Sequence, residues 1–227
     1  MEEQFARSIG LLGEENFKKI QEANIAIFGL GGVGGTCLEA LVRTGFQNFV
    51  LCDCDTVDAS NLNRQILYNK NDIGKVKVEA ATFHITAINP KAFVVICDKK
   101  AQEFPFREVG QLDFIVDAID DVEGKIFLAK EAEKRGIPFI MSLGMANRFD
   151  PSKVKIAKLN QTRNDPLAKK IRYMAKKEGL DLSKINVVIS EELPKKDGEK
   201  LYSTMMVPSS AGLSLAKFIL ESIIDRK

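Results

Sequence analysis

The sequence predicts an α/β fold in which a doubly wound, mostly parallel sheet carries a C-terminal α/β elaboration. Short apolar runs of β type alternate with segments of helical periodicity over the first two-thirds of the chain, which is typical of parallel strands joined by crossover helices. The run 113–118 is nearly all apolar, as expected for a strand that is covered on both faces. A glycine cluster at 29–34 directly follows the first run.

Five apolar runs predict the strands of the first part of the chain. They cover Asn24–Phe28, Asn48–Cys52, 92–97, 113–118 and 137–142. Three segments with helical spacing of apolar residues predict the helices between them, at 36–44, 73–88 and Val122–Arg135. Each helical segment is followed by Gly45, by Asn89-Pro90 or by Gly136, residues that commonly end helices.

The composition of the chain changes after Gly144. Runs at 154–159 and Asn186–Ser190 predict two further strands, with a basic helix at Pro166–Lys177 between them. The segment 193–200 (LPKKDGEK) predicts a polar loop, and Met206–Ile224 predicts a closing helix. We see no repeat and no linker. We therefore expect one domain over 1–227, with a nucleotide-binding core at 1–144 and an elaboration at 145–227.

Charge is spread unevenly along the 227 residues. Hydrophobic residues make up 45% and charged residues 28%, which is typical of a globular protein, and the net charge is only +2. The segment 148–200, however, holds 14 basic and 8 acidic residues. This local excess favours a polyanionic partner such as RNA, and the alternative is a solvated lysine-rich surface.

The cysteines and the single histidine restrict which kinds of metal or catalytic site the chain can contain. The four cysteines form no C-x-x-C pair, and His84 is the single histidine, which argues against a zinc site or a His-based triad. Cys52 and Cys54 are interpreted as small buried side chains, and His84 as a surface or partly buried helix residue. The start of the sequence has no secretory pattern, and no apolar run approaches the roughly 20 residues of a membrane span. We expect a cytoplasmic protein.

The glycine cluster fits G-x-G-x-x-G between a strand and a helix. Its glycines Gly29, Gly31, Gly32 and Gly34 allow a tight turn and a close approach of backbone to a phosphate at the helix N-terminus. Asp53 ends the next strand, where an acid binds ribose hydroxyls in dinucleotide-binding folds. These features are typical of any Rossmann-like protein, so an NAD-dependent dehydrogenase remains open here.

The segments around and after Asp53 distinguish between the classes of Rossmann-like protein. Asp53 and Asp55 precede Ser60-Asn61-Leu62-Asn63-Arg64-Gln65, and further on lie a G-x-x-K motif ending at Lys77 and a D-x-x-D motif ending at Asp120. In these motifs the chain resembles the ubiquitin-activating-enzyme-like superfamily of adenylating enzymes (ThiF, MoeB, HesA). The resemblance covers roughly the first two-thirds of the sequence.

The resemblance implies an ATP site with a magnesium ion. Asp53, with Asp55 beside it, would hold the ribose, and Asn61, Arg64 and Lys77 would surround the triphosphate. Asp120 would bind Mg²⁺. For each charged residue the alternative is a surface salt bridge.

Arg7 resembles an arginine that reaches the ATP of the partner subunit in this superfamily, so the resemblance also implies a homodimer. The catalytic set would then be Arg7, Arg64, Lys77 and Asp120. For Arg7 and Asp55 the surface salt bridge is a strong alternative.

The second half of the chain resembles one branch of the superfamily, which dehydrates threonylcarbamoyladenosine in tRNA. The similar segments are 142–151, 162–168 and 187–192. The branch adenylates the carboxylate of the modified base, and the neighbouring carbamoyl group then closes a ring, so the enzyme needs no nucleophile. This agrees with the lack of any cysteine after Cys97. The lysines and arginine that would hold tRNA include Lys169, Lys170, Arg172 and Lys176.

Three alternatives remain at this stage. An activator of a ubiquitin-like sulfur-carrier protein, with a sulfur-transfer or helper protein as partner, is opposed by the missing C-x-x-C pairs and late cysteine. An NAD-binding Rossmann protein would leave Asn61, Arg64, Lys77 and Asp120 without a role. A non-catalytic scaffold is opposed by the same complete set of charged residues. The chain is also shorter towards its end than many members of the dehydratase branch.

Overall fold

The computed structural model describes residues 3–163, 165–195 and 200–225. The strands in these ranges form one seven-stranded sheet with the order β3-β2-β1-β4-β5-β7-β6. They are β1 (Asn24–Phe28), β2 (Asn48–Cys52), β3 (Phe93–Cys97), β4 (Phe114–Asp117), β5 (Phe139–Ser142), β6 (Val154–Lys158) and β7 (Asn186–Ser190). Neighbouring strands are parallel except for the antiparallel pair β6 and β7. The prediction of a mostly parallel α/β sheet is confirmed.

Seven α-helices in the described ranges cover the sheet. They are α1 (Ala6–Leu12), α2 (Glu14–Glu22), α3 (Gly32–Thr44), α4 (Lys77–Ile88), α5 (Val122–Arg135), α6 (Pro166–Lys177) and α7 (Met206–Ile224). On one face, Ile25 and Ile27 of β1 share a hydrophobic cluster with α3, α4 and α7. On the other, Ala26 and Phe28 pack with α5. Because β1 is covered on both faces, its apolar residues do not alternate with polar ones.

The chain order places a crevice beside β1. From β1 the chain passes outward through β2 and β3 and returns to β4 on the other side of β1. The connections on the two sides of β1 therefore run in opposite directions along the sheet. In open α/β sheets, ligands bind where the direction changes, outside the carboxyl ends of the strands. The segments after β1, β2 and β4 all lie at this edge.

Helix α7 belongs to the core although it follows the sheet in sequence. It is the one helix in the described part of the chain that is long and apolar enough to cross a membrane by length and composition. Its buried side chains instead join the cluster that contains α3. A Cβ added to Gly212 would lie 2.5 Å from the carbonyl oxygen of Val33, so the two helix backbones are in direct contact there.

Most predicted elements are found, and their ends differ where tertiary contacts intervene. The predicted helix 73–88 begins at Lys77, because Gly74 has a φ of +88° and Thr56 bridges Val76. Helix α3 begins at Gly32, four residues before the predicted start at Thr36. Of the predicted loop 193–200, residues 196–199 lie outside the described residues.

Two features differ from the sequence interpretation. The prediction that Cys54 is buried is wrong: β2 ends at Cys52, and the exposed Cys54 lies beyond the helices that cover the strand. Helices α1 and α2 were not predicted, although Phe17 and Ile20 of α2 have helical spacing and pack into the core. His84 is partly exposed on α4 and lies 2.7 Å from a carboxylate oxygen of Glu39, which agrees with its predicted role.

Candidate nucleotide-binding active site

A cleft of about 630 Å³ lies outside the carboxyl ends of β1, β2 and β4. It brings together residues that are distant in sequence. Of the predicted cofactor-binding residues, the cleft is lined by Gly29, Gly31, Gly32, Asp53, Asp55, Asn61, Arg64, Lys77 and Asp120. The predicted site residues therefore converge at one place in the fold, apart from Gly34 and Arg7.

The glycine turn between β1 and α3 forms the floor of the cleft. Gly29 has a φ of +89°, and a Cβ there would lie 2.6 Å from the carbonyl oxygen of Ala118. A Cβ on Gly34 would overlap the carbonyl oxygen of Gly29. Gly34 thus supports the turn from below, while a Cβ on Gly31 would meet only Nε2 of Gln65, at 3.9 Å. The first amides of α3 have no intrahelical acceptor and suit a phosphate.

Asp53 holds the glycine turn in place. Its Oδ2 accepts a hydrogen bond from the Leu30 amide at 2.6 Å, and its Oδ1 accepts one from the Asp55 amide at 2.9 Å. Burial raises the pKa of the Asp53 carboxyl, while nearby Lys77 and these hydrogen bonds oppose the rise. Asp53 therefore has a structural role at the end of β2, and each oxygen keeps capacity for a further donor.

Lys77 brings a buried cation to the cleft. Its Nζ lies 2.7 Å from Oδ2 of Asp55, and the two side chains are 6% and 63% exposed. The lysine thus reaches the cleft from the start of α4, and Asp55 shares its charge while no anion is bound. Asp55 is in this structure an ion-pair partner rather than an isolated ligand.

Arg64 and Asn61 are held by the short helical turn 59–61 and the residues after it. Arg64 Nη1 donates to the carbonyl of Ser60 at 2.8 Å and to Oδ1 of Asn63 at 2.9 Å. Asn61 Oδ1 accepts from the amide of Asp58 at 3.1 Å, which closes a capping box. These local bonds fix both side chains before any ligand arrives, and preorganised groups bind charge more effectively.

Acidic residues form the opposite wall. Asp120 is exposed and follows β4, whereas Asp121 caps α5 through the amides of Glu123 and Gly124. The residues the structure describes include no group of three or more His, Cys, Asp or Glu side chains suited to a metal ion. Asp120 and Glu123 are both exposed carboxylates on this wall, and Mg²⁺ is commonly held by one or two carboxylates together with substrate phosphates.

Two groups of predicted residues lie outside the cleft. Arg7 is exposed on α1, away from the cleft of its own chain. Lys169, Lys170 and Lys176 are exposed on α6. Arg172 is only half-exposed, and its Nη1 donates to the carbonyl oxygen of Thr162 at 2.9 Å and to the hydroxyl of Thr162, so it also has a structural role.

Three polar residues that follow β3 were not identified from the sequence as part of the cleft. Lys99, Lys100 and Gln102 follow β3 and line the cleft, and Gln102 donates to Asp121 at 2.6 Å. The available signal was their position directly after a predicted strand, because the carboxyl ends of parallel strands meet at one edge. The two lysines add positive charge to the site.

A buried ion pair lies beneath the cleft. Lys125 of α5 donates to Oδ1 of Asp117 and to the carbonyl of Ser142, both at 2.8 Å, and both charged side chains are 0% exposed. Burial raises the pKa of the Asp117 carboxyl, and Lys125 opposes this rise. The pair joins the ends of β4 and β5 to α5.

The sequence profile of the ThiF family matches residues 5–165. The chain belongs to the ThiF family. The match includes the cleft residues from the glycine turn to Asp120, and α6 and α7 lie beyond it.

Individual relatives and solved structures match a larger part of this ThiF-family chain than the family profile does. A tRNA threonylcarbamoyladenosine dehydratase of Bacillus subtilis is 36% identical over 193 residues, or 84% of this chain and 76% of the relative. The dehydratase 2 of Saccharomyces cerevisiae is 35% identical over 209 residues, and the matched part is 46% of its length. The chain thus spans about half the length of this yeast relative.

A solved structure extends the similarity to the C-terminal part. The Escherichia coli tRNA N6-threonylcarbamoyladenosine dehydratase, TcdA, in complex with ATP has a TM-score of 0.89 and 29% identity. The match covers 97% of this chain and 93% of the E. coli chain. The sheet of this chain and its C-terminal elaboration therefore have the same arrangement as in the E. coli structure.

Replacing Lys125 by methionine should destabilise the fold in a pH-dependent way. The free energy of unfolding should fall by about 3–5 kcal/mol at neutral pH, because the change leaves a buried carboxylate unpaired. The loss should shrink as pH falls. Because Lys125 opposes the rise in the pKa of the Asp117 carboxyl, its removal raises that pKa further, so the folded variant takes up the proton more readily than the folded wild type does.

Urea unfolding at several pH values measures this effect. Lys130→Met is the matched control, because Lys130 forms an exposed ion pair with Glu178 and its loss should cost less than about 1 kcal/mol at any pH. A loss for Lys125→Met that is equally small, or that does not change with pH, would contradict the prediction.

Proposed function

We propose that this chain catalyses the ATP-dependent dehydration of threonylcarbamoyladenosine in tRNA through a carboxyl-adenylate intermediate. The observation that carries the adenylation chemistry is the convergence of Arg64, Lys77 and Asp120 on the glycine-turn cleft. The substrate is inferred from the relatives, whose names specify this reaction and whose similarity extends beyond the nucleotide-binding half.

We expect ATP to bind the cleft with its phosphates at the glycine turn. The phosphates would lie against the glycine turn and the start of α3, with Asn61, Arg64 and Lys77 around them and the ribose towards Asp53. On binding, Lys77 would exchange part of its contact with Asp55 for the phosphates. Asp120 would hold Mg²⁺ together with phosphate oxygens, which suits an exposed carboxylate at an anion site.

The chemistry then requires two displacements. A carboxylate oxygen of the threonyl group attacks the α-phosphorus of ATP, and pyrophosphate leaves with its charge balanced by the surrounding cations. The carbamoyl oxygen next attacks the activated carboxyl carbon, AMP leaves and a proton is lost. The sum is the loss of one water from the nucleoside, with ATP converted to AMP and pyrophosphate.

The cysteines of the chain do not favour the sulfur-carrier alternative. Cys54 lines the cleft, but burial and the carboxylates of Asp55 and Asp53 raise the pKa of its thiol. The thiolate is the nucleophilic form, so this position disfavours thioester formation. An NAD-binding protein has no use for the cations and Asp120 at the cleft. Intramolecular ring closure needs no enzyme nucleophile.

We propose that residues 1–144 form the catalytic core and that 145–227 faces tRNA and supports a homodimer. The exposed lysines Lys169, Lys170 and Lys176, with Arg172 beside them, would contact phosphates. Arg7 would reach the ATP of the partner subunit, which agrees with its exposure away from its own cleft. A helper protein could supply additional contacts, and the reaction would take place in the cytoplasm.

The direct test is incubation with ATP, Mg²⁺ and threonylcarbamoylated tRNA, followed by mass spectrometry of the nucleosides. We expect an ATP-dependent loss of about 18 mass units from the modified nucleoside. Asp120→Ala should give no product while its thermal unfolding is unchanged. An intact nucleoside after incubation with ATP-binding wild-type protein would refute the proposed reaction.

Mixing two inactive variants tests the role of Arg7. If Arg7 acts across the interface, Arg7→Ala and Asp120→Ala subunits combine to give one complete site in each mixed dimer. Random exchange of equal amounts should then restore about a quarter of the wild-type rate, because half of the dimers are mixed and each has one complete site. If Arg7 acts within its own chain, every site keeps a defect and no activity returns.

Reversing the charge of Lys169, Lys170 and Lys176 to glutamate should weaken tRNA binding and flatten its dependence on salt. Each lost phosphate contact should lower the slope of log K against log[salt] by about 1. Lys18→Glu and Lys217→Glu are controls on α2 and α7, since both lysines are exposed and form i,i+4 ion pairs. An unchanged slope in the α6 variant would show that this face does not bind RNA.

A further inference from the structure

Two exposed aromatic side chains lie in the C-terminal part of the chain, on segments that Asn147 joins by hydrogen bonds. Phe149 is 69% exposed and Tyr202 is 52% exposed. The Nζ atom of Lys195 lies 5.8 Å from the centroid of the Phe149 ring. We refer to Phe149, Lys195 and Tyr202 as the aromatic patch. None of the roles proposed above for the cleft residues uses the aromatic patch.

Asn147 fixes the backbone of the patch. Its amide and its Oδ1 exchange hydrogen bonds with the carbonyl and amide of Tyr202, both at 2.7 Å. Its carbonyl accepts from the amide of Lys195 at 2.8 Å, and its Nδ2 donates to the carbonyl of Lys200 at 3.1 Å. Asn147 has a φ of +59°, which asparagine tolerates better than most residues. The patch is thus a preorganised surface.

The patch is connected directly to the cleft. The carbonyl of Ser203, next to Tyr202, accepts a hydrogen bond from Nδ2 of Asn63 at 2.9 Å. Oδ1 of Asn63 in turn accepts from Nη1 of Arg64, which lines the cleft. One asparagine side chain therefore separates the backbone of the patch from the arginine proposed to bind phosphate.

We propose that the aromatic patch binds an unpaired purine of the tRNA anticodon loop by stacking and thereby presents the substrate carboxylate to the cleft. This inference rests on the proposed function. The carboxylate is attached to the base through a few bonds, so a carboxylate in the cleft requires its base at the cleft mouth. Unpaired bases in RNA loops are commonly bound on aromatic side chains.

The charges around the patch favour RNA over a peptide. Lys195 and Lys200 are exposed beside it and can face a phosphate. In the described part of the chain, the carboxylate of Glu192 accepts hydrogen bonds from the backbone amides of Phe149 and Asp150 at 2.8 and 2.7 Å, and the carboxylate of Asp150 accepts from Ser152. An aromatic surface edged by cations is typical of proteins that bind single-stranded nucleic acid.

The test measures the steady-state constants of Phe149→Ala and Tyr202→Ala. Removing a stacking ring should raise the KM for threonylcarbamoylated tRNA on the order of ten-fold and leave the KM for ATP unchanged. Phe149→Tyr and Tyr202→Phe keep the rings and should keep the wild-type KM. Phe83→Ala is the matched control, because Phe83 is an exposed phenylalanine on α4 outside the cleft and the patch. Thermal unfolding of each variant shows whether the fold is retained.

The outcomes separate this inference from the proposed function. A tRNA KM within about two-fold of wild type in both alanine variants would overturn the inference, while dehydration by the wild-type protein would leave the function standing. An equal loss in Tyr202→Phe would also overturn it, since the ring is retained.

If the wild-type protein does not dehydrate tRNA, the proposed function fails and a binding measurement decides the role of the patch. The probe is an anticodon stem-loop RNA with 2-aminopurine in the loop. Quenching by wild-type protein that both alanine variants lose supports stacking. Equal quenching by all proteins, or none, overturns it.

Discussion

The buried ion pair between Asp117 and Lys125 is the constraint on which the active-site cleft depends. Placing both charges in the interior has a large desolvation cost, and their mutual attraction offsets it only while both remain in contact. Oδ1 of Asp117 also accepts from the amide of Ile119 at 3.2 Å. The pair therefore fixes the first turn after β4, which carries Asp120 into the cleft and leads to the cap of α5.

The glycine turn depends on the same region. Gly29 approaches the carbonyl of Ala118 so closely that no side chain fits, and Ala118 directly follows Asp117. Any shift at the end of β4 would thus move the phosphate-facing turn as well. Helix α7 closes the other side of the cleft, where the side chain of Pro208 lies 3.1 Å from the position of a Cβ built on Gly32. The C-terminal part is in this way necessary for the shape of the cleft.

Electrostatics give the cleft its selectivity for a polyanion. Lys77, Arg64, Lys99 and Lys100 bring cations from three segments, and hydrogen bonds to Asp55 and to Ser60 and Asn63 hold the first two in place. The acidic side chains present are either engaged, as Asp53 and Asp55 are, or lie at one wall with Asp120. In the proposed complex, the triphosphate would therefore lie among these cations, with Mg²⁺ at the wall that carries Asp120.

The sequence by itself determined the strands of the sheet, five of the seven described α-helices and nine of the residues that line the cleft. These follow from local rules, because apolar runs specify buried strands and the ends of parallel strands share one edge. The sequence did not determine where α4 begins, which depends on the contact between Thr56 and Val76. Only the tertiary structure paired Lys77 with Asp55, turned Arg172 towards Thr162 and joined Ser203 to Asn63 beside Arg64. Such pairings join segments far apart in the chain, and the distances between them are set by packing of the whole core, which no local pattern encodes.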